Sequence, residues 1–355
     1  MTNSVNNRSA SLRHWSTVLG FLAATASITA SAAILPEERQ VLLDLYASAG
    51  GAGWTNNTGW NDVAGTECTW SGITCNGAGD HVTGIALAAN NLVGTLPAIN
   101  ALSQLSNFNV AQNMLSGELP SLTGLVSLQT LYFSSNQFSG SIPDLSGLAS
   151  LQILDMNGAG VSGAIPSLAG LTSLQSFEAP NNNLSGSLPS LVGLASLSDF
   201  NVDTNQLTGT IPALAGLPNL TGFNVSHNPI TGSIPPLPNT LVDFMAGGTQ
   251  LSGPLPDLSG LTALAHLWVN DDQLSGTVPD LSNLQSLISF LIEGNQFTGV
   301  LPDPPPALNT AGSAVVCPNG FQHIDNAAWD IAVGVTPWWS GCAPTPVTLQ
   351  EFGVD

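Results

Sequence analysis

Apolar positions recur along the chain with a period of 23 residues. An aliphatic residue followed by Pro recurs in ten copies from Pro97 to Pro302 that keep this spacing, except for 21 residues between Pro235 and Pro256. Every copy has Gly three residues before the Pro, and seven copies have Asn seven residues before it. Self-similarity at such a short fixed period is typical of a solenoid, in which each repeat forms one turn.

The recurrent Asn position brings the apolar residues of all repeats into register. The residues three and five positions before it are apolar in every repeat, as at Phe200 and Val202, and this spacing by two predicts a short strand with one buried face. Between the strands, Leu recurs every three residues, as at Leu122, Leu125 and Leu128. That period is typical of a 3₁₀-like turn or an extended arc and not of a full α-helix.

These positions identify the repeat as similar to a known family. The segment 182–189, with sequence NNLSGSLP, resembles the pattern LxxLxLxxNxLxGxIP of plant-type, receptor-like extracellular leucine-rich-repeat proteins. The resemblance covers about residues 82 to 302, although the family repeat is usually one residue longer. It implies an α/β-type solenoid: a curved superhelix of short parallel strands, with a 3₁₀ or irregular convex side and a cap at each end.

A stack of repeats exposes its apolar core at both ends and therefore needs caps. Residues 36–48 predict a helix, with Pro36 at its first position and Val41, Leu42, Leu45 and Tyr46 on one face. We expect clustered Trp residues to seal the two ends, and a sugar-stacking site is the alternative. These residues are Trp54, Trp60, Trp70, Trp329, Trp338 and Trp339.

Four Cys residues form two local pairs, Cys68 with Cys75 and Cys317 with Cys342. An even number of Cys behind a signal peptide predicts two disulfides formed in an oxidising compartment. A zinc site is the alternative, but the spacing of Cys68, Cys75 and His81 matches no recognised zinc motif. The segment from Cys68 to Cys75 is also similar to the N-terminal cap motif of the leucine-rich-repeat family.

The predicted organisation has five parts. Residues 1–32 predict a signal peptide, because Arg8 and Arg13 precede an apolar run that ends in the cleavage-like sequence ASA at 30–32. An N-terminal cap (33–81), a solenoid of about ten repeats (82–304) and a C-terminal cap (305–342) follow. We interpret residues 343–355 as a linker or tail that opens a further strand or serves in sorting.

Charge excludes several classes of partner. Outside residues 1–32, Arg39 is the only Lys or Arg, and it is opposed by 23 acidic residues. Nucleic acids and anionic lipids need a cationic surface, so neither is expected as a partner, and no stretch after the signal peptide predicts membrane insertion. We expect a monomeric protein that is secreted or held at the cell surface. The absence of Lys together with a surface rich in small polar residues fits a bacterial exported protein.

Alternation along each strand places the residues six, four and two positions before the Asn on the concave face. Asp155 and Glu178, on adjacent strands, are expected to repel unless a Lys- or Arg-bearing partner, or Ca²⁺, lies between them. An aromatic residue among hydrogen-bonding groups, Trp268, marks a second patch that includes Met245. No other cofactor is expected. The candidate binding residues are Tyr132, Asp155, Glu178, Asp199, Asn201, Asp203, Asp243, His266, Trp268 and Asp271.

Catalytic chemistry finds no support in the sequence, which contains no nucleophile elbow, metal-binding spacing or phosphate loop. We therefore expect a non-enzymatic module that recognises a protein or peptide through the concave sheet, as the family resemblance implies. One alternative is carbohydrate or cell-surface adhesion through Trp268 and the Trp residues of the caps. Another is an ice- or cation-binding surface, because Ser or Thr recurs beside the repeat Gly from Ser116 to Thr298.

Overall fold

The structure, a computed structural model, describes residues 33–342. The predicted signal peptide and the predicted tail lie outside the described residues. Helix α1 spans Pro36–Ser48, as the sequence predicts, and helix α2 spans Ala327–Val333. Three 3₁₀ helices lie at Gly51–Gly53, Glu67–Thr69 and Trp338–Gly341.

Short strands make up the body of the described chain. In chain order they are β1 Ile73–Cys75, β2 Val82–Ala86, β3 Val93–Thr95, β4 Asn107–Asn109, β5 Met114–Glu118, β6 Thr130–Tyr132, β7 Gln137–Ser139, β8 Ile153–Asp155, β9 Ser162–Gly163, β10 Ser176–Glu178, β11 Asn183–Ser187, β12 Asp199–Asn201, β13 Gln206–Thr208, β14 Gly222–Asn224, β15 Thr231–Gly232, β16 Asp243–Met245, β17 Gln250–Gly253, β18 His266–Trp268, β19 Gln273–Gly276, β20 Ser289–Leu291, β21 Gln296–Gly299, β22 Ala314–Val315 and β23 Gly320–Phe321.

Each repeat contributes one strand to a 12-stranded sheet, called here the large sheet, in the order β1-β2-β4 and then every even strand to β22. Its other strand joins one of three smaller sheets, called the second-strand sheets, which contain β3 and the odd strands from β5 to β23. All pairs are parallel except β1 with β2, and equivalent residues such as Phe200 and Phe223 stand side by side. The predicted parallel solenoid is confirmed.

The segments that connect the strands turn without forming α-helix. The amide of Leu125 bonds to the carbonyl of Leu122 at 3.2 Å, and that of Leu128 bonds to Leu125 at 3.0 Å. These bonds span three residues, as in a 3₁₀ turn, and so each recurring Leu points into the core. The predicted 3₁₀-like side of the solenoid is confirmed.

Stacked aromatic rings fill the core of the central repeats. Phe177, Phe200, Phe223 and Phe244 are buried, and neighbouring rings lie 5.3 to 5.9 Å apart and within 16° of parallel. Because a single repeat cannot bury its own apolar face, this stacking supplies the burial that stabilises each turn.

Buried Asn side chains link consecutive turns. The Nδ2 of Asn113 donates to the carbonyls of Leu87, Val110 and Ala111 at 2.9 to 3.0 Å, and its Oδ1 accepts from two amides of the preceding turn. These side chains satisfy backbone groups that the core would otherwise leave unpaired. We call them the Asn ladder: Asn90, Asn113, Asn136, Asn182, Asn205, Asn228, Asn295 and Asn319.

Both caps contain buried tryptophans. Trp70 and Trp329 have almost no exposed surface, and the Nε1 atoms of Trp54 and Trp329 donate to backbone carbonyls at 2.8 Å. The sealing role is therefore confirmed, and a sugar-stacking role is wrong for these buried rings. The disulfides Cys68–Cys75 and Cys317–Cys342 are also confirmed.

Candidate functional site

The outward face of the large sheet is built from the first and third residues of its three-residue strands. In β10, for example, Phe177 is buried while Ser176 and Glu178 are partly exposed. These residues form two rows across the sheet, together called the large-sheet face. A third row was predicted two residues before the Asn ladder; Ser134, Asn157 and Asp203 of that row are at least partly exposed, whereas Pro180 and Ser226 are buried. The prediction fails there because the chain already turns inward toward the ladder.

Two acidic side chains interact directly on this face. Glu178 ends β10 and Asp199 begins the neighbouring strand β12. Burial, followed by the negative charge of Asp199, raises the pKa of Glu178 to about 7, and burial also raises the pKa of Asp199. A hydrogen bond between the two carboxyl groups favours the protonated form of Glu178 and the ionised form of Asp199. Glu178 therefore gains and loses its proton near neutral pH.

Donors from its own strand region and from the preceding turn hold the carboxylate of Asp155. Its Oδ2 accepts from the hydroxyl of Ser134 at 2.8 Å, and its Oδ1 accepts from the amide of Asn157 at 3.0 Å. Asp155 and Glu178 are nevertheless direct neighbours in the strand register, as predicted, and the repulsion between them stays a prediction.

A glycine extends the acidic surface toward the C-terminal half of the sheet. A Cβ placed on Gly222 would lie 2.7 Å from Oδ2 of Asp199, so the missing side chain leaves room for this carboxylate over β14. The charge of Asp243, on β16, contributes to the raised pKa of Asp199. We call Glu178, Asp199 and Asp243 the acidic line. The sequence signal for it was a Gly where most strands have a polar side chain.

Trp268 lies in a hydrogen-bonded cluster with its neighbours. Nδ1 of His266 lies 2.5 Å from Oδ1 of Asp243, and the rings of His266 and Trp268 meet edge-to-face at 6.1 Å. The Nε1 of Trp268 donates to the hydroxyl of Ser289 at 2.8 Å, and Met245 stands beside Trp268 on the adjacent strand. Trp268 is half-buried, and neighbouring polar groups fix its orientation.

The remaining candidates lie around these two groups. Asp203 contacts Nδ1 of His227 at 2.8 Å, and Oδ1 of Asn201 accepts from the amide of Asp203 at 3.1 Å. His227 was missed, because the repeat period places Asp203 on the preceding turn but does not show the direction of either side chain. Asp271 is exposed on the turn after β18, where it accepts from Asn270, and it does not join the Trp268 cluster.

Tyr132 occupies a separate part of the face. Together with Asn107, Asn109 and Thr130 it lines a shallow depression of about 270 Å³ near the N-terminal end of the large sheet. Asp155 stands beside Tyr132 on β8. The predicted binding residues therefore fall into three groups and not into one pocket.

Two negative findings apply to residues 33–342. No three His, Cys, Asp or Glu side chains come together there as a metal-binding group. Neither described helix is long and apolar enough to cross a membrane.

The second-strand sheets present a different surface. Hydroxyls beside the repeat Gly bond to the preceding turn: Thr208 donates to the carbonyl of Gly186 at 3.2 Å, and Thr231 donates to that of Gly209 at 3.1 Å. We call the equivalent side chains the hydroxyl row: Ser116, Ser139, Ser162, Ser185, Thr208, Thr231, Ser252, Ser275 and Thr298. Within these strands, as the structure describes them, Glu118 is the one charged residue.

The family model for the Leucine Rich Repeat matches residues 127–148 and 219–241. The crystal structure of PEPR1-AtPEP1 is similar to this chain, with a TM-score of 0.69 and 26% identity over 81% of this chain and 42% of that one. The plant peptide hormone receptor RGFR1 in complex with RGF2 has a TM-score of 0.51 and 26% identity over 67% of this chain and 48% of that one. The chain thus spans about half the length of these receptors.

A plant ice-binding protein is also similar, with a TM-score of 0.63 and 22% identity over 81% of this chain and 97% of that one. At this identity the similarity shows a shared fold. No curated protein matches the sequence. The chain therefore has a leucine-rich-repeat fold that it shares with plant receptor ectodomains.

Proposed function

We propose that the protein is a secreted, non-enzymatic binding module that recognises an extracellular protein or peptide through the large-sheet face. The observation that carries this proposal is the acidic line, whose half-buried carboxyl groups have no Lys or Arg partner among the described residues. Complementary charge gives specificity and speeds association, so a Lys- or Arg-bearing segment is the expected occupant. The proposal includes export from a bacterial cell and a monomeric state.

The geometry also limits the length of the bound segment. Glu178, on β10, and Trp268, on β18, are four strand spacings apart, which corresponds to about 19 Å. An extended peptide that crosses the strands covers this distance in about six residues. The expected partner therefore places a cationic residue at Glu178 and Asp199 and an apolar residue near Trp268, about six positions away.

The comparisons support this choice of partner. RGFR1, a plant peptide hormone receptor with a similar fold, is in complex with RGF2. We infer that the present chain uses its sheet to bind a peptide or an extended protein segment as well.

A displayed library of random peptides, selected on the wild-type protein, tests the proposal. Selected peptides should combine Lys or Arg with an apolar residue about six positions away. They should bind Glu178→Gln/Asp199→Asn and Trp268→Ala at least about tenfold more weakly, or roughly 1.4 kcal/mol. The control Asp44→Asn/Glu118→Gln, which removes two exposed acids elsewhere, should bind normally. Equal binding by all variants would contradict the proposal. Binding to glycans on an array that is lost in Trp268→Ala would favour adhesion.

The hydroxyl row supports a second candidate, a surface that orders water or ice. Its side chains are exposed or half-exposed at the regular spacing of the strands, and Thr208 and Thr231 are oriented by hydrogen bonds. Purified protein should then shape growing ice crystals, Thr208→Leu should abolish the effect, and Thr172→Leu on a connecting turn should retain it. Unshaped crystals with the wild-type protein would exclude this candidate.

A further inference from the structure

The Asn ladder is interrupted at two consecutive turns near the short repeat. Thr249 and Asp272 stand at positions that are occupied by Asn in most other repeats. Both side chains are buried, with 8% and 7% of their surface exposed. A buried acid at a position built for an amide needs a physical explanation, because burying an unpaired charge is costly.

Asp272 reproduces only the accepting half of a ladder Asn. Its Oδ1 accepts from the amide of Thr249 at 3.0 Å, from the hydroxyl of Thr249 at 2.5 Å and from the amide of Leu251 at 3.3 Å. In a regular turn the second side-chain atom is the amide nitrogen, which donates to three carbonyls. In Asp272 that atom is Oδ2, which is buried and has no hydrogen-bond partner.

One backbone carbonyl at the contact between the turns of Thr249 and Asp272, called here the joint, also lacks a hydrogen-bond donor. By equivalence with the other turns, a ladder Asn at position 272 would donate to the carbonyls of Ala246, Val269 and Asn270. Asn295 donates to Val269, and the amide of Gly248 donates to Asn270. The carbonyl of Ala246, a fully buried residue, accepts no hydrogen bond from any described residue. Two buried oxygen atoms at the joint, Oδ2 of Asp272 and the carbonyl oxygen of Ala246, therefore have no hydrogen-bond donor. One proton on Oδ2 would satisfy both.

The groups around the joint favour the neutral acid. Asp271 precedes Asp272, and Glu293 lies on the following turn; both are acidic. The adjoining ladder positions, Thr249 and Asn295, carry no charge. Burial, with a contribution from the charge of Asp271, raises the pKa of Asp272 to about 6.

The basic groups on neighbouring turns do not supply a counter-charge. His227 is paired with Asp203, and His266 is paired with Asp243. The sole Lys or Arg in the described residues, Arg39, belongs to the N-terminal cap and contacts Glu67.

We propose that Asp272 is a proton-binding site within the Asn ladder, at which a carboxylic acid donates from Oδ2 to the carbonyl of Ala246. The proton comes from solvent and returns to it on ionisation, after which two oxygen acceptors face each other and the joint between the turns of Thr249 and Asp272 weakens. This joint directly follows the strands that carry Met245 and Trp268. The proposal requires no partner and is independent of the proposed function.

The direction of the pH effect follows from linkage. The pKa of Asp272 is raised in the folded protein from the ordinary value of 3.8 to about 6. Its stabilising contribution is therefore complete below the ordinary value and is lost as the pH rises through about 6. Asp272→Asn supplies its own amide donors at every pH, so this variant isolates the contribution of the proton.

Thermal unfolding of the full chain between about pH 4 and pH 8 tests the proposal. Asp272→Asn should unfold at a higher temperature than wild type at the upper pH, and the difference should shrink toward the lower pH. Asn205→Asp, which places an acid at a regular ladder position, should acquire the same pH dependence. Asp271→Asn, which removes the neighbouring exposed charge, should retain the dependence with its midpoint shifted to lower pH.

Infrared spectra give a second readout that does not depend on stability. Near pH 5, the difference spectrum between Glu178→Gln/Asp199→Asn and the same variant with Asp272→Asn added should contain one carboxylic-acid carbonyl band, that of Asp272. If that variant does not fold, faster exchange of the Thr249 and Leu251 amides at high pH in wild-type protein, relative to the equivalent amides beside Asn136, provides the test. A pH-independent stability difference, or no acid band, would overturn the proposal and indicate that water or a cation bridges the two acceptors.

Discussion

Glu178 and Asp199 share a hydrogen bond between their carboxyl groups across two neighbouring strands of the large sheet. Below about pH 7 a proton on Glu178 relieves the repulsion between the two carboxyl groups. Because Arg39 is occupied in the N-terminal cap, residues 33–342 offer no other Lys or Arg to replace that proton. A cationic partner could do so, and this relationship makes the acidic line the centre of the functional proposal.

The proton on Glu178 predicts a pH dependence of partner binding. Above about pH 7 Glu178 ionises, so an Arg-rich probe peptide should bind about three- to fivefold more tightly near pH 8 than near pH 6, a difference under about 1 kcal/mol. Isothermal titration should also detect proton release on binding at the lower pH. Glu178→Gln should remove both effects, and an unchanged pH profile in that variant would contradict the assignment.

The Asn ladder predicts a large difference between two kinds of Asn. Asn136→Ala removes donors to the carbonyls of Val110 and Phe133 and an acceptor for the amide of Leu115, and should lower the free energy of unfolding by about 2–4 kcal/mol. Asn183→Ala, at an exposed strand position, should change it by less than about 0.5 kcal/mol. Urea unfolding followed by circular dichroism measures both, and similar losses would argue against a structural role of the ladder.

The ring stack predicts a second stability difference. Phe200 is fully buried between Phe177 and Phe223. Phe200→Ala should cost about 3–5 kcal/mol, because it removes the ring and leaves a cavity, whereas Phe200→Leu should cost clearly less. The same urea titration measures the effect. Equal costs for the two variants would contradict the cavity argument, because Leu fills most of the space and lacks only the ring.

An ion pair between Arg39 and Glu67 contributes to the stability of the N-terminal cap. The guanidinium of Arg39 contacts the buried carboxylate of Glu67 and lies 5.3 Å from the ring centroid of Trp70. Arg39→Met leaves Glu67 buried without its cation and should destabilise the protein by about 3–5 kcal/mol. Arg39→Lys, which keeps the charge, should lose less. Differential scanning calorimetry distinguishes them, and an unchanged midpoint for Arg39→Met would show that water replaces the pair.

Periodicity was sufficient to predict the fold. Residues such as Phe200 and Leu125 recur at fixed intervals, and one-dimensional stacking leaves few alternative ways to bury them. Helix α1 and both disulfides were predicted for similarly local reasons. The ladder was extended by Asn319, which sequence spacing missed because the repeat period is lost in the C-terminal cap.

The candidate site was predicted less completely, since its contacts depend on side-chain direction. The sequence placed Asp155 and Glu178 on adjacent strands, but it could not show that Ser134 would hold Asp155 or that Gly222 would make room for Asp199. The contact between His227 and Asp203, which is 24 residues earlier in the sequence, could not be predicted for the same reason. Strand register gives neighbours across a sheet, whereas the choice among those neighbours depends on hydrogen-bond geometry.

Hydrogen-exchange mass spectrometry of the protein with a selected peptide tests the central claim most directly. The account predicts that the bound peptide slows exchange in the strands of the large sheet between Ile153–Asp155 and His266–Trp268, and leaves the second-strand sheets unchanged. Protection confined to the second-strand sheets or to the connecting turns would contradict the claim that the large-sheet face is the binding surface.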